Sequence, residues 1–181
     1  MRSLALALPL AMLLAALAET RDVVAQAVDA APIAEATRQG QKVDIEADNM
    51  EVLDKQRKAI FSGNVNAARG GVTLKSNKLV VDYQNGGTNK KGQAKSGGGN
   101  EVTNLEATGS VVIITRTQKI TGDKALIDVK ANRLTVDGNV VVEQGGSVVR
   151  GNQLVVDLAT NRSQMTGGRV KGLFTPSQKT P

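Results

Sequence analysis

The acidic side chains of this chain recur at a fixed spacing. Asp82, Asp128 and Asp157 each stand nineteen residues after a glycine: Gly63, Gly109 and Gly138. Three such carboxylates could serve acid–base chemistry or hold a metal ion. Each, however, ends a run of β-forming residues beside a turn, where an Asp side chain accepts hydrogen bonds from nearby backbone N–H groups. Turn stabilisation is therefore the role their position predicts. The chain has no cysteine and no histidine. Disulfides, thiolate nucleophiles, Cys/His zinc sites and every imidazole-based dyad are thereby excluded. Carboxylate or Ser/Lys chemistry stays open in principle, yet no nucleophile–base motif is present. The sequence predicts no catalytic residue, no metal site and no cofactor.

With only Phe61, Tyr83 and Phe174 aromatic, the core must be built from Val, Ile and Leu. So few rings also argue against stacking nucleic-acid bases, and no nucleic-acid partner is expected. A formal charge of +6 suits an anionic partner as well as simple solubility.

The elements that would carry these residues are repeated. Gly63-Asn64-Val65, Gly109-Ser110-Val111 and Gly138-Asn139-Val140 open three segments that close on Leu79-Val80-Val81-Asp82, Ala125-Leu126-Ile127-Asp128 and Leu154-Val155-Val156-Asp157. Asp48 to Gly63, Asp123 to Gly138 and Asn152 to Gly167 share a second spacing of fifteen residues. The implied unit is about 29 residues, with about 17 more inserted around residues 84–100; stacked supersecondary units have periods of this size. Apolar residues alternate within each segment, and β-branched types dominate, which marks strands. Gly70-Gly71 and Gly145-Gly146 fall in the same columns and supply the positive φ of tight hairpins. Ten or more antiparallel strands are expected over residues 42–170. The alternation turns Val43, Ile45, Phe61, Val65, Leu79, Val81, Val111, Ile113, Ile127, Val129, Val140, Val142, Leu154 and Val156 inward. They would form either a closed dry core or the lining of a groove.

The N-terminal residues read as an export signal, with Arg2 ahead of an apolar run at residues 4–18 that is too short to span a bilayer comfortably. Small-x-small cleavage sites end at Ala18 and Ala27. Cleavage at the second gives a signal peptide of residues 1–27, then a disordered segment 28–41, the folded domain 42–170 and a flexible tail 171–181.

Val43-Asp44-Ile45-Glu46-Ala47-Asp48, then Phe61-Ser62-Gly63-Asn64-Val65, then Leu74-Lys75-Ser76-Asn77-Lys78-Leu79-Val80-Val81 resembles the OstA-like family. Val136-Asp137-Gly138-Asn139-Val140 and Arg150-Gly151-Asn152-Gln153-Leu154-Val155-Val156 repeat the pattern. The resemblance covers roughly residues 42–170, and it is closest to the periplasmic bridge proteins of lipopolysaccharide transport. It implies an all-β fold, an antiparallel β-jellyroll shaped like a half-open taco whose interior holds acyl chains. It further implies lipopolysaccharide (lipid A) as ligand, inner-membrane and outer-membrane transport components as partners, and head-to-tail homo-oligomers in the periplasm. Val43, Ile45, Val111, Ile113, Ile127 and Val129 are then the expected lipid-binding residues. Lys90, Lys91 and Lys95 could meet lipid phosphates or simply solvate a Gly-rich loop. One departure from the family stands out: the inward positions are nearly all aliphatic here. A structural β-solenoid or adhesin-like surface protein is the alternative, disfavoured because Gly-Gly hairpins imply antiparallel pairing.

Overall fold

The structure is a computed structural model that describes residues 28–38, 43–84 and 101–174. The proposed signal peptide, the Gly/Lys-rich loop with Lys90, Lys91 and Lys95, and residues 175–181 lie outside the described residues. Ten strands follow one helix, α1 (Ala31–Thr37). They are β1 (Asp44–Glu46), β2 (Asn49–Leu53), β3 (Lys58–Arg69), β4 (Val72–Gln84), β5 (Glu101–Ile114), β6 (Gln118–Asp128), β7 (Arg133–Gln144), β8 (Ser147–Asp157), β9 (Arg162–Thr166) and β10 (Lys171–Leu173). Every ladder is antiparallel. The six long strands β3 to β8 pair in chain order, β1 and β2 both lie on the outer side of β3, and β9 and β10 both lie on the outer side of β8. The result is an open antiparallel sheet, as the residue pattern predicts, of the jellyroll type that the family resemblance implies. Strand β10 falls inside the segment expected to be a tail, so the sheet runs three residues past the expected end of the domain.

Hairpin chemistry explains the meander. Gly70-Gly71 (φ 57° and 80°) joins β3 to β4, and Gly145-Gly146 (φ 53° and 83°) joins β7 to β8. Positive φ at both central residues twists the backbone in the sense that matches paired strands. Between β5 and β6 the sequence has Arg116-Thr117 instead, and the turn is held by side chain. The Thr115 hydroxyl accepts from the amides of Thr117 (3.3 Å) and Gln118 (3.1 Å).

A second kind of glycine sits in the middle of the long strands. Gly63-Asn64, Gly109-Ser110 and Gly138-Asn139 all have positive φ, at 80°/46°, 80°/50° and 78°/49°. At each pair the register of the ladder shifts, as between Ser62 and Val65 or between Asp137 and Val140. These are β-bulges, which bend a strand and sharpen its twist. Each bulge glycine is pressed against an Asp or Asn of the neighbouring segment: Asp48 between β1 and β2, Asn77 in β4 and Asp123 in β6. A Cβ at Gly63 would collide with the Asp48 carboxylate, one at Gly109 with the Asn77 amide, and one at Gly138 with the Asp123 carboxylate. Asn64 Nδ2 donates to Asp48 (2.9 Å), and Asn139 Nδ2 donates to Asp123 (3.0 Å).

The bends let one sheet bury its own face. Leu79, Ile113, Ile120, Leu134 and Leu154 are all but inaccessible and belong to a single core cluster that spans β3 to β8. No second sheet covers them among the described residues, so the apolar face is closed by the curl of the sheet and by α1. Of the fourteen inward positions, Val65, Leu79, Val81, Val111, Ile113, Val140, Val142, Leu154 and Val156 are buried; Ile45, Phe61 and Ile127 are partly buried against the core. Val129 is half-buried, and Val43, just ahead of the edge strand β1, is 37% exposed.

The two kinds of glycine should respond differently to alanine. Gly71 has φ 80° with open space where a Cβ would go, whereas Gly138 has φ 78° and a neighbour in the way. We expect Gly71→Ala to cost about 1 kcal/mol and Gly138→Ala about 2–4 kcal/mol, the difference being overpacking against Asp123. Urea unfolding followed by circular dichroism measures both. Equal losses would show that the Asp123 contact constrains nothing.

Candidate functional site: an apolar groove filled by the N-terminal helix

The inner face of the sheet is a concave aliphatic surface, and α1 lies in it. The sequence Ala31-Pro32-Ile33-Ala34-Glu35-Ala36-Thr37 favours a short helix, since Pro at the first turn lacks an N–H that would be unpaired there anyway. Ile33 and Ala36, one turn apart, face the core together with Val28 and Ala30, and all four are buried. Residues 28–38 were expected to be disordered; they fold because this small apolar stripe finds an apolar surface to cover. A helix of seven residues has little stability of its own, so its docking is what keeps it.

Four hydrogen bonds from three side chains fix α1 in place. Gln118, which is 5% exposed, accepts from the Asp29 amide (3.0 Å) and donates to the Asp29 carbonyl (2.6 Å). Asn161 Oδ1 accepts from the Ala30 amide (2.7 Å). At the other end Arg69 Nη2 donates to the carbonyl of Arg38, the C-cap residue of α1. The helix therefore bridges the β5–β6 turn, the β8–β9 turn and the end of β3.

Beneath α1 a cavity of about 80 Å³ remains, lined by Ile33, Ala36 and Thr37 of the helix and by Val43, Ala67, Arg69, Val72, Leu74, Leu105, Ile113, Ile127 and Val129 of the sheet region. Four of the six expected lipid-binding residues meet there: Val43, Ile113, Ile127 and Val129. The other two lie elsewhere on the same face. Ile45 pairs with Ala67 on the edge strand, and Val111 is sealed within the core cluster. A void of this size is well below the roughly 300–1,000 Å³ of ordinary ligand pockets. The groove is apolar enough for an acyl chain, but α1 occupies the space one would need.

Sequence reasoning missed Arg69 and Gln118. Both follow the alternation, Arg69 in phase with Val65 and Ala67, and Gln118 in phase with Ile120. An inward charge at a strand end was thus legible as an anomaly. Burial pulls the Arg69 guanidinium below its usual pKa, and its Nε is buried without an acceptor.

The recurring aspartates are structural. Asp128 accepts from the Ala131 amide (2.8 Å) in the β6–β7 turn. Asp157 accepts from Ala159 (3.0 Å) and Thr160 (2.9 Å), and the Thr160 amide holds its pKa below the usual carboxylate value. A depressed folded-state pKa means this support is present at neutral pH and is lost as pH falls through that pKa. Asp82 departs from the pattern: it forms an ion pair with Lys58 across the β3–β4 ladder instead of bracing a turn. Among the described residues no group of three acidic side chains could hold a metal ion.

An open antiparallel sheet curled over an aliphatic interior defines an OstA-like β-jellyroll. The family described as "LptA/(LptD N-terminal domain) LPS transport protein" matches residues 44–162. The chain belongs to this lipopolysaccharide-transport family. It is 31% identical over 102 residues to an uncharacterised protein of Rhizobium meliloti (strain 1021), a match covering 56% of this chain and 52% of that protein. The chain thus spans about half the length of that relative. Its fold is similar to that of LptH, the LptA-homologous periplasmic component of the lipopolysaccharide transport device of Pseudomonas aeruginosa. The TM-score is 0.60 at 19% identity, over 75% of this chain and 96% of LptH.

If Gln118 pins the helix, Gln118→Ala should loosen α1 and leave the strands alone. The Ala34 amide, bonded to the Ala30 carbonyl at 2.8 Å, should exchange with solvent about tenfold faster or more, since two hydrogen bonds of about 1 kcal/mol each are lost. Exchange at Ile120 should not change. Unaltered exchange at Ala34 would show that packing alone holds the helix.

Proposed function

We propose that this protein is a periplasmic, non-catalytic carrier that binds lipopolysaccharide by its acyl chains in the jellyroll groove and passes it from the inner towards the outer membrane. The observation that carries the reading is the continuous aliphatic inner face of an open sheet, in a chain of the lipopolysaccharide-transport family. Aliphatic walls with few polar groups bind chains through burial alone, at about 25 cal/mol per Å². Such binding has no fixed register, which suits a surface along which a lipid slides. Val43, Ile45, Val111, Ile113, Ile127 and Val129 are the proposed lining. No helix among the described residues is long and apolar enough to cross a membrane.

Assembly is part of the proposal. Each side of the sheet ends in a broken strand, β1 with β2 on one side and β9 with β10 on the other. Main-chain pairing of one side with the other side of a second copy would continue the groove from protomer to protomer. This contact is heterologous and does not close on itself, so it extends head to tail. Transport components in the two membranes would meet the two ends of such a row.

Photo-crosslinking tests the path. Crosslinkers at Ile113 and Ile127 should capture lipopolysaccharide in cells, whereas those at the outward positions Val112 and Asp128 should not. Equal capture on both faces would defeat the groove. In sedimentation, the intact protein should form a concentration-dependent series of oligomers, and a chain ending at Val170, which lacks β10, should not. A strictly monomeric intact protein would refute the row.

A further inference from the structure

Among the described residues, Arg69 is the one charged side chain on the wall of a cavity whose other lining residues, Thr37 apart, are apolar. A guanidinium keeps its charge at any physiological pH; Arg69 is partly buried, and the cost falls on the one edge of its fork that is turned away from water. None of the ion pairs among the described residues includes it. What it has is one neutral acceptor, the Arg38 carbonyl at the end of α1, reached through Nη2. Its Nε is buried and has no acceptor at all. Nε and Nη2 form one side of the guanidinium fork, the edge that matches two oxygens of a phosphate or carboxylate. In this state that edge is half used.

The helix that supplies the single acceptor also fills the groove, leaving about 80 Å³ beneath it. An acyl chain and α1 cannot both be seated there. If the chain enters, α1 leaves, and Arg69 loses its carbonyl at the same moment. We propose that the Nε/Nη2 edge of Arg69 then receives a phosphate oxyanion of the lipid headgroup, so that lipid loading exchanges one neutral acceptor for a bidentate anionic one. This deepens the carrier reading above and rests on it. The acyl chains take the space of Ile33 and Ala36, and the headgroup phosphate takes the place of the Arg38 carbonyl at the rim. The lipid is thereby positioned with its anionic group at the β3–β4 hairpin end of the groove.

The test compares bisphosphorylated lipid A with the same lipid after dephosphorylation, each displacing a fluorescent fatty acid from the full mature chain. The wild type should prefer the phosphorylated form by about tenfold or more, the worth of a charge-assisted bidentate contact. In Arg69→Gln the ratio between the two lipids should fall towards one. Arg69→Lys, which keeps the charge without the fork, should retain a reduced preference. A second readout needs no variant: phosphorylated lipid A should speed solvent exchange at the Ala34 amide of the wild type by about tenfold or more as α1 is released. Equal affinity of the wild type for both lipids, or a preference undiminished in Arg69→Gln, overturns the role of Arg69 and leaves the carrier reading standing. Unchanged Ala34 exchange with lipid bound overturns the displacement. Failure of the wild type to bind either lipid overturns the carrier reading itself, and Arg69 with it.

Discussion

Where Gly138 and Asn139 bulge out of β7, their left-handed backbone is held by the Asp123 carboxylate of β6, and Gly63 and Gly109 make the same contact with Asp48 and Asn77. Twelve residues of straight strand span about 40 Å, and a sheet of such strands would leave its apolar face open to water. A bulge in each odd-numbered long strand divides every ladder into two walls that can turn towards each other. The bend needs two things of the same residue: a positive φ and no Cβ. Only glycine supplies both, and the neighbouring Asp or Asn supplies acceptors or donors that the interrupted ladder no longer provides. The interior exists because this contact recurs at successive ladders.

An interior made in this way lacks a second layer among the described residues, and a large concave apolar face is a liability when empty. The N-terminal segment resolves that. Val28, Ala30, Ile33 and Ala36 fill the space between the walls, and their short helix contributes little stability that would resist removal. The polar fastenings sit at its ends, at Gln118, Asn161 and Arg69, so the middle of the contact is purely apolar. Aliphatic surface exchanged for aliphatic surface changes the free energy little, which makes α1 a suitable occupant to trade for acyl chains.

Most of the sheet was legible because its signals are local. Alternation at Val111 and Ile113 or Val140 and Val142 names the inner face directly, and Gly-Gly pairs name the hairpins. The inward positions around Leu74, Ile120 and Leu134 were passed over because they lie near bulges or turns, where the alternation shifts phase. The helix escaped notice for a different reason. The four buried apolar residues of this segment are too few to form a periodic pattern, and their burial depends on a surface formed by residues far along the chain. Arg69 shows the converse: its phase was readable, but only the fold reveals that no carboxylate among the described residues pairs with it.

The two sides of the sheet show how the same bend limits unwanted pairing. Met50 is 62% exposed on one side, and Leu173 and Phe174 are 68% and 59% exposed on the other. Long flat edges bearing such side chains would aggregate. Here each edge is cut in two, β1 from β2 at Asp48 opposite the Gly63 bulge, and β9 from β10 around Gly167-Gly168, whose φ values are 82° and 122°. The pieces are three to five residues long, so a straight foreign strand can pair with one of them but not follow the chain onto the other. A partner edge that carries the same bend at the same level can pair with both pieces at once. In the proposed row another copy of this sheet meets this requirement, so the bulge that opens the groove would also restrict what may extend it.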